Sequence, residues 1–127
     1  MPHLILHHTA NLDGFDPGLA LAAANRALVV SGHFEPVSIK SRALALDQYR
    51  VGNADDGHGF VHATLKIMPG RSDDVRAALG RDVHDALASC LPPLDLHCQL
   101  CVEVVELEAA TYIKSTHARS VVPETHA

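Results

Sequence analysis

The sequence predicts an α/β protein with two layers, a four-stranded sheet and two helices on one of its faces, built from two consecutive β-α-β units. Two helix-like segments, each flanked by short strand-like segments, indicate this order. Each connection is long enough to join parallel strands, and such crossovers are almost always right-handed. The 127 residues suit a single domain over 1–127, with halves at about 2–48 and 58–108.

The first unit begins with an apolar segment at residues 2–8, which predicts a strand, and turn residues 11–14 follow it. Asp16 is a favourable helix N-cap, and Pro17 suits the first helical position, where its missing N–H costs nothing. Residues 36–46 are rich in β-branched and apolar types and predict the second strand. Helical spacing predicts that the apolar face of the helix is formed by Leu19, Ala23, Ala27 and Val30.

The second unit follows a loop at residues 52–57. Residues 60–68 alternate between apolar and polar types, which predicts a strand. Ser72 can cap the second helix, and residues 99–107 predict the last strand. One face of this helix is predicted to hold these residues: Val75, Ala78, Leu79, Val83, Ala86, Leu87 and Cys90.

Both helices are expected on one sheet face, which leaves the other face uncovered. That face is expected to carry Ile, Val, Leu and Ala and to pack against other copies of the chain, because a large bare apolar surface is costly in water. The polar tail, residues 114–127, is expected either to wrap a neighbouring copy or to be disordered.

The composition excludes several classes of protein. The formal net charge is −5 and the basic residues are scattered, so nucleic acid is not an expected partner. No run of about 20 apolar residues could span a membrane, and the first residues do not form a secretory signal. The protein is therefore expected in the cytoplasm. Cys98 and Cys101 lie three residues apart in an apolar stretch that predicts a strand, so their side chains point to opposite faces. His7 and His8 are adjacent on another predicted strand and also point to opposite faces. No metal site is therefore expected.

Pro2, directly after Met1, has the most distinctive chemistry. Its small side chain permits removal of an initiator methionine, which would leave a secondary amine at the start of the first strand. A free α-amino group titrates near pH ~8, and a cationic or apolar pocket lowers this pKa toward neutrality. A base with such a pKa suits proton transfer. The alternative is that Pro2 only begins an edge strand.

Four motifs in order extend this hypothesis: Pro2-His3-Leu4-Ile5-Leu6, Ile39-Lys40-Ser41-Arg42, Phe60-Val61-His62-Ala63-Thr64-Leu65-Lys66-Ile67 and Gly70-Arg71-Ser72. Together they resemble the 5-carboxymethyl-2-hydroxymuconate delta-isomerase family of the tautomerase superfamily, over nearly the whole chain to about Val121. The resemblance implies a tautomerase-like fold and a homotrimer with the sheets facing its interior.

The resemblance also implies a site that needs no cofactor. Pro2 would move a proton between an enol oxygen and a carbon, and Arg71, in the turn after the third strand, would bind a substrate carboxylate. The family has a second arginine in an I-R-S-R motif, where this sequence has Lys40. Lysine keeps the charge but loses the planar two-pronged geometry, and Arg42, on the same strand face, is an alternative ligand. The alternative to these binding roles is structural. In that case Arg71 is a solvated residue at a helix start, and Lys40 and Arg42 form an exposed edge.

The expected function is that of an isomerase acting on a small carboxylate substrate, a 2-hydroxymuconate-type unsaturated acid, as in the degradation of aromatic acids. Two alternatives stay open. One is a hydratase or dehalogenase of small unsaturated acids that uses Pro2 in its protonated form. The other is a non-enzymatic module for ligand binding or oligomerisation, because a fold alone does not set function. The sequence assigns no role to His7, His58 or His62.

Overall fold

The first strand, β1 (His3–Thr9), lies inside a four-stranded mixed sheet. The computed structural model describes residues 1–120. The later elements are α1 (Pro17–Val30), a 3-10 turn (Pro36–Ser38), β2 (Lys40–Leu46), β3 (His58–Ile67), α2 (Asp73–Ala88) and β4 (His97–Glu106). The strand order is β2-β1-β3-β4, in which β1–β2 and β3–β4 are parallel and β1–β3 is antiparallel. The predicted fold of two β-α-β units is confirmed.

Both helices begin where the sequence predicts. The side chain of Asp16 accepts a hydrogen bond from the backbone N–H of Leu19, and Pro17 is the first residue of α1. Ser72 caps α2 in the same way, with its hydroxyl oxygen 3.2 Å from the backbone nitrogen of Val75. The two aspartates in the first turn of α2 interact favourably with the positive end of the helix dipole. Local capping chemistry therefore fixes the start of each crossover helix.

The core lies between the helices and one face of the sheet. Alternate residues of the two central strands are fully buried on this face, since the side chains of a strand point to opposite faces in turn. The helices contribute three buried residues each. The buried residues of these elements are Leu4, Leu6, Val61, Ala63, Leu65, Ile67, Ala20, Ala24, Leu28, Leu79, Val83 and Leu87. Each buried leucine contributes roughly 1.5–3 kcal/mol to this packing.

The predicted apolar face of α1 is wrong. Leu19 and Val30 are 65% and 78% exposed, whereas α1 buries Ala20, Ala24 and Leu28. This helix is apolar on almost every side, because alanine, leucine and valine make up most of its residues. Its periodicity therefore did not specify a face, and contact with the sheet and α2 selected one.

The predicted apolar composition of the uncovered sheet face holds only in part. The buried residues that alternate along β1 and β3 point toward the helices, so the residues between them form the other face. On these two strands the uncovered face carries His3, Ile5, His7, Phe60, His62, Thr64 and Lys66. The centre of this face is therefore largely polar and rich in histidine, whereas the edge strands add Leu44, Leu46 and Val105, of which Leu44 and Val105 are 47% and 39% exposed.

The starts of three strands differ from the prediction, and β3 begins at His58, two residues earlier than predicted. Residues 36–38 form a 3-10 turn, closed by a hydrogen bond from the N–H of Ile39 to the carbonyl of Pro36, so β2 begins at Lys40. β4 begins at His97, two residues earlier than predicted, because the N–H of His97 bonds to the carbonyl of Gly57 and extends the ladder. Residues 121–127 of the predicted tail lie outside the described residues. Neither helix of residues 1–120 has the length and apolarity that a membrane crossing requires.

Candidate active site

The topology brings three predicted site segments to one end of the sheet. His3, at the start of β1, pairs with Lys40 of β2 and with Lys66 of β3. Because β3 runs antiparallel to β1, it ends where β1 begins, and the turn that contains Arg71 follows it. The start of β1, the start of β2 and the turn after β3 are therefore neighbours.

The amino end of the chain is held by the turn before β2. The Met1 amino group donates a hydrogen bond to the carbonyl oxygen of Ser38 at 3.0 Å, and the Lys40 ammonium donates to the same oxygen. The backbone N–H of Lys40 donates to the carbonyl of Pro2 at 3.0 Å. The ring of Pro2 is fully buried. An α-amine at the start of β1 is thus fixed in position beside a lysine.

The electrostatic environment favours a neutral amine at this place. The pKa of the Met1 amino group is lowered from 8.0 to about 6. Burial is the largest cause, followed by the hydrogen bond and charge of Lys40 and then by the charge of Lys114. Burial and nearby positive charge both disfavour protonation of an amine.

His3 connects this end of the sheet to the chain after β4. Its Nε2 lies 2.8 Å from the hydroxyl of Tyr112, and its Nδ1 lies 3.3 Å from the Arg42 guanidinium. A guanidinium is only a donor, so Nδ1 accepts and Nε2 carries the proton that is donated to Tyr112. Burial and the nearby charges of Lys40 and Arg42 lower the pKa of His3, which favours this neutral form.

A cavity of about 580 Å³ opens beside Ser38 and Lys40, the two residues that bond to Met1 and Pro2 at the amino end. One wall comes from the turn before β2 and its first residue, and the other from the segment after β4. The charged side chains that line it are Glu35, Lys40 and Lys114. Sequence reasoning missed Lys114, Tyr112 and His3, because a contact between the two ends of the chain leaves no periodic or motif signal.

Arg71 is close to the same end but contacts another segment. Its guanidinium donates to the carbonyl of His33 at 3.1 Å and lies 4.8 Å from the ring centre of Phe34. Both partners belong to the connection between α1 and β2. Gly70 before it has φ of +119°, a conformation that favours glycine and turns the chain toward α2. Of the predicted ligands, Lys40 and Arg42 contact the amino end or His3, and Arg71 contacts this connection.

The other residues considered from the sequence lie elsewhere. His58 is at the opposite end of β3, with its ring 5.3 Å from that of His97. His62 is on the uncovered face, 3.4 Å from the Glu103 carboxylate. Cys98 packs against the core, whereas Cys101 is exposed. Within residues 1–120, no cluster of three or more histidine, cysteine or acidic side chains is arranged to hold a metal ion.

Comparison with known proteins identifies the family. The family model for 5-carboxymethyl-2-hydroxymuconate isomerase matches residues 2–121. The 5-carboxymethyl-2-hydroxymuconate Delta-isomerase of Escherichia coli is 34% identical over 82 residues, and this alignment spans 63% of the chain and 64% of that relative's length. The crystal structure of a 5-carboxymethyl-2-hydroxymuconate isomerase from Deinococcus radiodurans R1 superposes with a TM-score of 0.79 and 27% identity, covering 91% of this chain and 90% of that one.

A more distant comparison shows the fold alone. A fused 4-OT protein, described as a symmetric trimer, is 16% identical with a TM-score of 0.61, covering 87% of this chain and 94% of that one. The family match, by contrast, includes the start of β1, the start of β2 and the turn after β3. The chain therefore belongs to the 5-carboxymethyl-2-hydroxymuconate isomerase family.

Proposed function

We propose that this chain is a cofactor-free isomerase of 2-hydroxymuconate-type unsaturated acids, with the amine of Pro2 as its base. Removal of Met1 would convert the Pro2 nitrogen from a peptide nitrogen to a secondary amine. In its neutral form this amine takes the proton of the enol hydroxyl as that O–H bond breaks. It then gives a proton to a carbon of the conjugated chain, where a C–H bond forms as the ketone is made.

One observation carries this proposal: the Met1 amine, adjacent to Pro2, lies beside Lys40 in an environment that lowers its pKa from 8.0 to about 6. Burial and positive charge at this place act against protonation, and a neutral amine is able to accept a proton. The Pro2 ring is buried at the same place, so its nitrogen would enter a similar environment once Met1 is absent. Membership of the family supports the same chemistry.

The lowered pKa also distinguishes between the two enzymatic hypotheses. A hydratase or dehalogenase that uses a protonated Pro2 needs an amine whose pKa lies above the working pH. Burial and the charges of Lys40 and Lys114 act in the opposite direction. The isomerase is therefore the function that the electrostatics of this site favour.

The proposed ligands of the substrate are cations at this end of the sheet. Lys40 is next to the amine, and Arg42, through His3, belongs to the same group of side chains. Arg71 would reach a carboxylate by exchanging its hydrogen bond to the His33 carbonyl for one to the substrate. Such donors would also stabilise the negative charge that develops on the enol oxygen.

Homotrimeric assembly, a role in the catabolism of aromatic acids and a location in the cytoplasm form part of this proposal. The trimer is supported by the fold shared with the trimeric fused 4-OT protein and by the uncovered sheet face. Because this face carries both apolar and polar side chains, its burial between copies would depend on apolar contact and on paired hydrogen bonds. Sedimentation of the purified protein measures the assembly, and a monomer would contradict this part.

The experiment has two steps. Mass spectrometry of the intact purified protein first tests whether Met1 is absent. Ultraviolet absorbance then follows the ketonisation of 2-hydroxymuconate and of phenylenolpyruvate by the wild-type protein and by Pro2→Ala. We expect a processed chain that is active, and a loss of kcat of at least about 100-fold in the variant, in keeping with the usual contribution of a general base.

The alanine variant is a matched control because alanine also permits removal of Met1. The processed variant then begins with a primary amine in place of the secondary amine of proline. Retained Met1 would leave no amine on Pro2 and would favour the ligand-binding module. Equal inactivity of the wild-type protein and Pro2→Ala toward both enols would contradict the catalytic role.

A further inference from the structure

We propose that Lys114, in the segment after β4, is a substrate-binding residue that recognises a second carboxylate group of the substrate. The proposal rests on the function proposed above and concerns the same cavity. It assigns to the site a residue from the chain segment that the sequence suggested was only a polar tail.

The segment after β4 is fixed across the end of the sheet. The N–H of Leu107 donates to the carbonyl of Ile67 at 2.7 Å, and a turn follows in which the N–H groups of Thr111 and Tyr112 donate to the carbonyl of Glu108. Tyr112 then bonds to His3 on β1. Because β4 and β2 are the two edges of the sheet, this segment crosses from one edge toward the other. Lys114 is two residues beyond that attachment.

Lys114 reaches the cavity next to the amino end. It lines the cavity with Lys40, which belongs to the opposite wall. Its charge also contributes to lowering the pKa of the amino group, which agrees with its place in the cavity. The volume of about 580 Å³ is within the ordinary range of small-molecule sites.

The charges of the cavity suit a dicarboxylate better than a monocarboxylate. Two ammonium groups on opposite walls can each bind one carboxylate as compact point charges. Glu35, the one acidic side chain of the lining, would repel an anion placed beside it, so the two lysines define where carboxylates are accepted. Arg71 does not line this cavity and would have to exchange its hydrogen bond to His33 to reach a carboxylate. Lys114 is therefore the second cation of the cavity lining.

Binding of two unreactive acids tests the proposal. Muconate has the six-carbon diene and two carboxylates but no enol hydroxyl, and sorbate is the corresponding monocarboxylate. Calorimetric titration of the wild-type protein should show tighter binding of muconate than of sorbate. Lys114→Gln should weaken muconate binding by about ten-fold, the effect of one charge-assisted hydrogen bond, and should change sorbate binding by less than about two-fold.

Two control variants separate a specific contact from a change of net charge or of folding. Lys114→Arg should keep most of the preference for muconate, whereas Arg119→Gln removes one positive charge from the same segment, at a residue outside the cavity lining, and should bind both acids like the wild-type protein. Thermal unfolding of all three checks that the fold is kept.

Three results would overturn the role of Lys114. They are unchanged muconate binding in Lys114→Gln, an equal loss in Arg119→Gln, or a wild-type protein that binds muconate no more tightly than sorbate. A different result would separate the two proposals. If muconate binding depends on Lys114 but 2-hydroxymuconate is not ketonised, the isomerase activity is refuted and the dicarboxylate site is kept.

Discussion

Replacement of Lys40 by glutamine is the most direct test of how this site prepares its base. Lys40 lowers the pKa of the amine at the start of β1 in two ways, through the hydrogen bond that places its ammonium beside the amine and through its positive charge. Burial, the largest cause, stays in the variant. The pKa of the Met1 amine should therefore rise from about 6 and stay below 8.0, its ordinary value, and the pKa of a Pro2 amine at the same place should rise in the same way.

The size of the effect follows from the fraction of neutral amine. With the pKa of about 6 that the Met1 amine has at this place, roughly nine-tenths of an amine is neutral at pH 7, and with an ordinary pKa near 8 only about one-tenth is neutral. Glutamine at residue 40 should therefore lower kcat/KM at pH 7 by a factor between one and about ten through this effect. Above pH ~9 the amine is neutral in both proteins, so the effect disappears there.

The assay is the pH dependence of kcat/KM for ketonisation of phenylenolpyruvate between pH 5 and 10. The acid limb of the profile reports the pKa of the base in the free enzyme. Loss of a substrate ligand would lower the whole profile equally, whereas loss of an electrostatic neighbour would move the limb to higher pH. Competitive acetylation of the terminal amine against pH gives the same pKa without any turnover.

Two variants serve as controls. Lys40→Arg keeps the positive charge and should leave the limb near that of the wild-type protein. Lys66→Gln removes a charge from the uncovered face beside His3, whose pKa it lowers, and should leave the amine almost unchanged. An acid limb that does not move in Lys40→Gln, or that moves as far in Lys66→Gln, would refute the assignment of Lys40 as the neighbour that tunes the base.

Three other predictions follow from single contacts. Arg71→Gln should raise KM for 2-hydroxymuconate about ten-fold, the loss of one charge-assisted contact; unchanged KM with a lower Tm would show that Arg71 only holds the connection at His33 and Phe34. Gly59→Ala should lower the free energy of unfolding by about 1–3 kcal/mol in urea titrations, because its Cβ would lie 2.6 Å from the Thr9 hydroxyl. At Gly80 an added Cβ would lie 3.4 Å from a side-chain atom of Val104. Gly80→Ala should therefore raise the same free energy of unfolding by about 0.5–1 kcal/mol through helix propensity. Equal effects of the two changes would contradict this packing. The ring of His3 should titrate below the ordinary histidine pKa of about 6.5 in proton NMR, and a midpoint above that value would contradict its burial beside Lys40 and Arg42.

The sequence by itself determined the order of the elements and the caps of both helices. These depend on interactions within a few residues, such as the side chain of Ser72 and the N–H of Val75, or on the alternation of β3, which repeats every two residues. The same alternation was sufficient to show that β3 presents polar residues opposite the helices, since His62, Thr64 and Lys66 separate its buried residues. The prediction of an apolar uncovered face did not apply this alternation, so the central part of the face was assigned wrongly.

Only the tertiary structure decided which side of α1 is buried and which side chains surround the amine. A helix that is apolar all round carries no signal for its orientation, so packing against the sheet and α2 chose Ala20, Ala24 and Leu28. Lys114, Tyr112 and His3 come together only because β4 ends at the edge of the sheet and the chain then crosses its end. Contacts between distant parts of a chain depend on strand order and direction, and neither is encoded in local spacing.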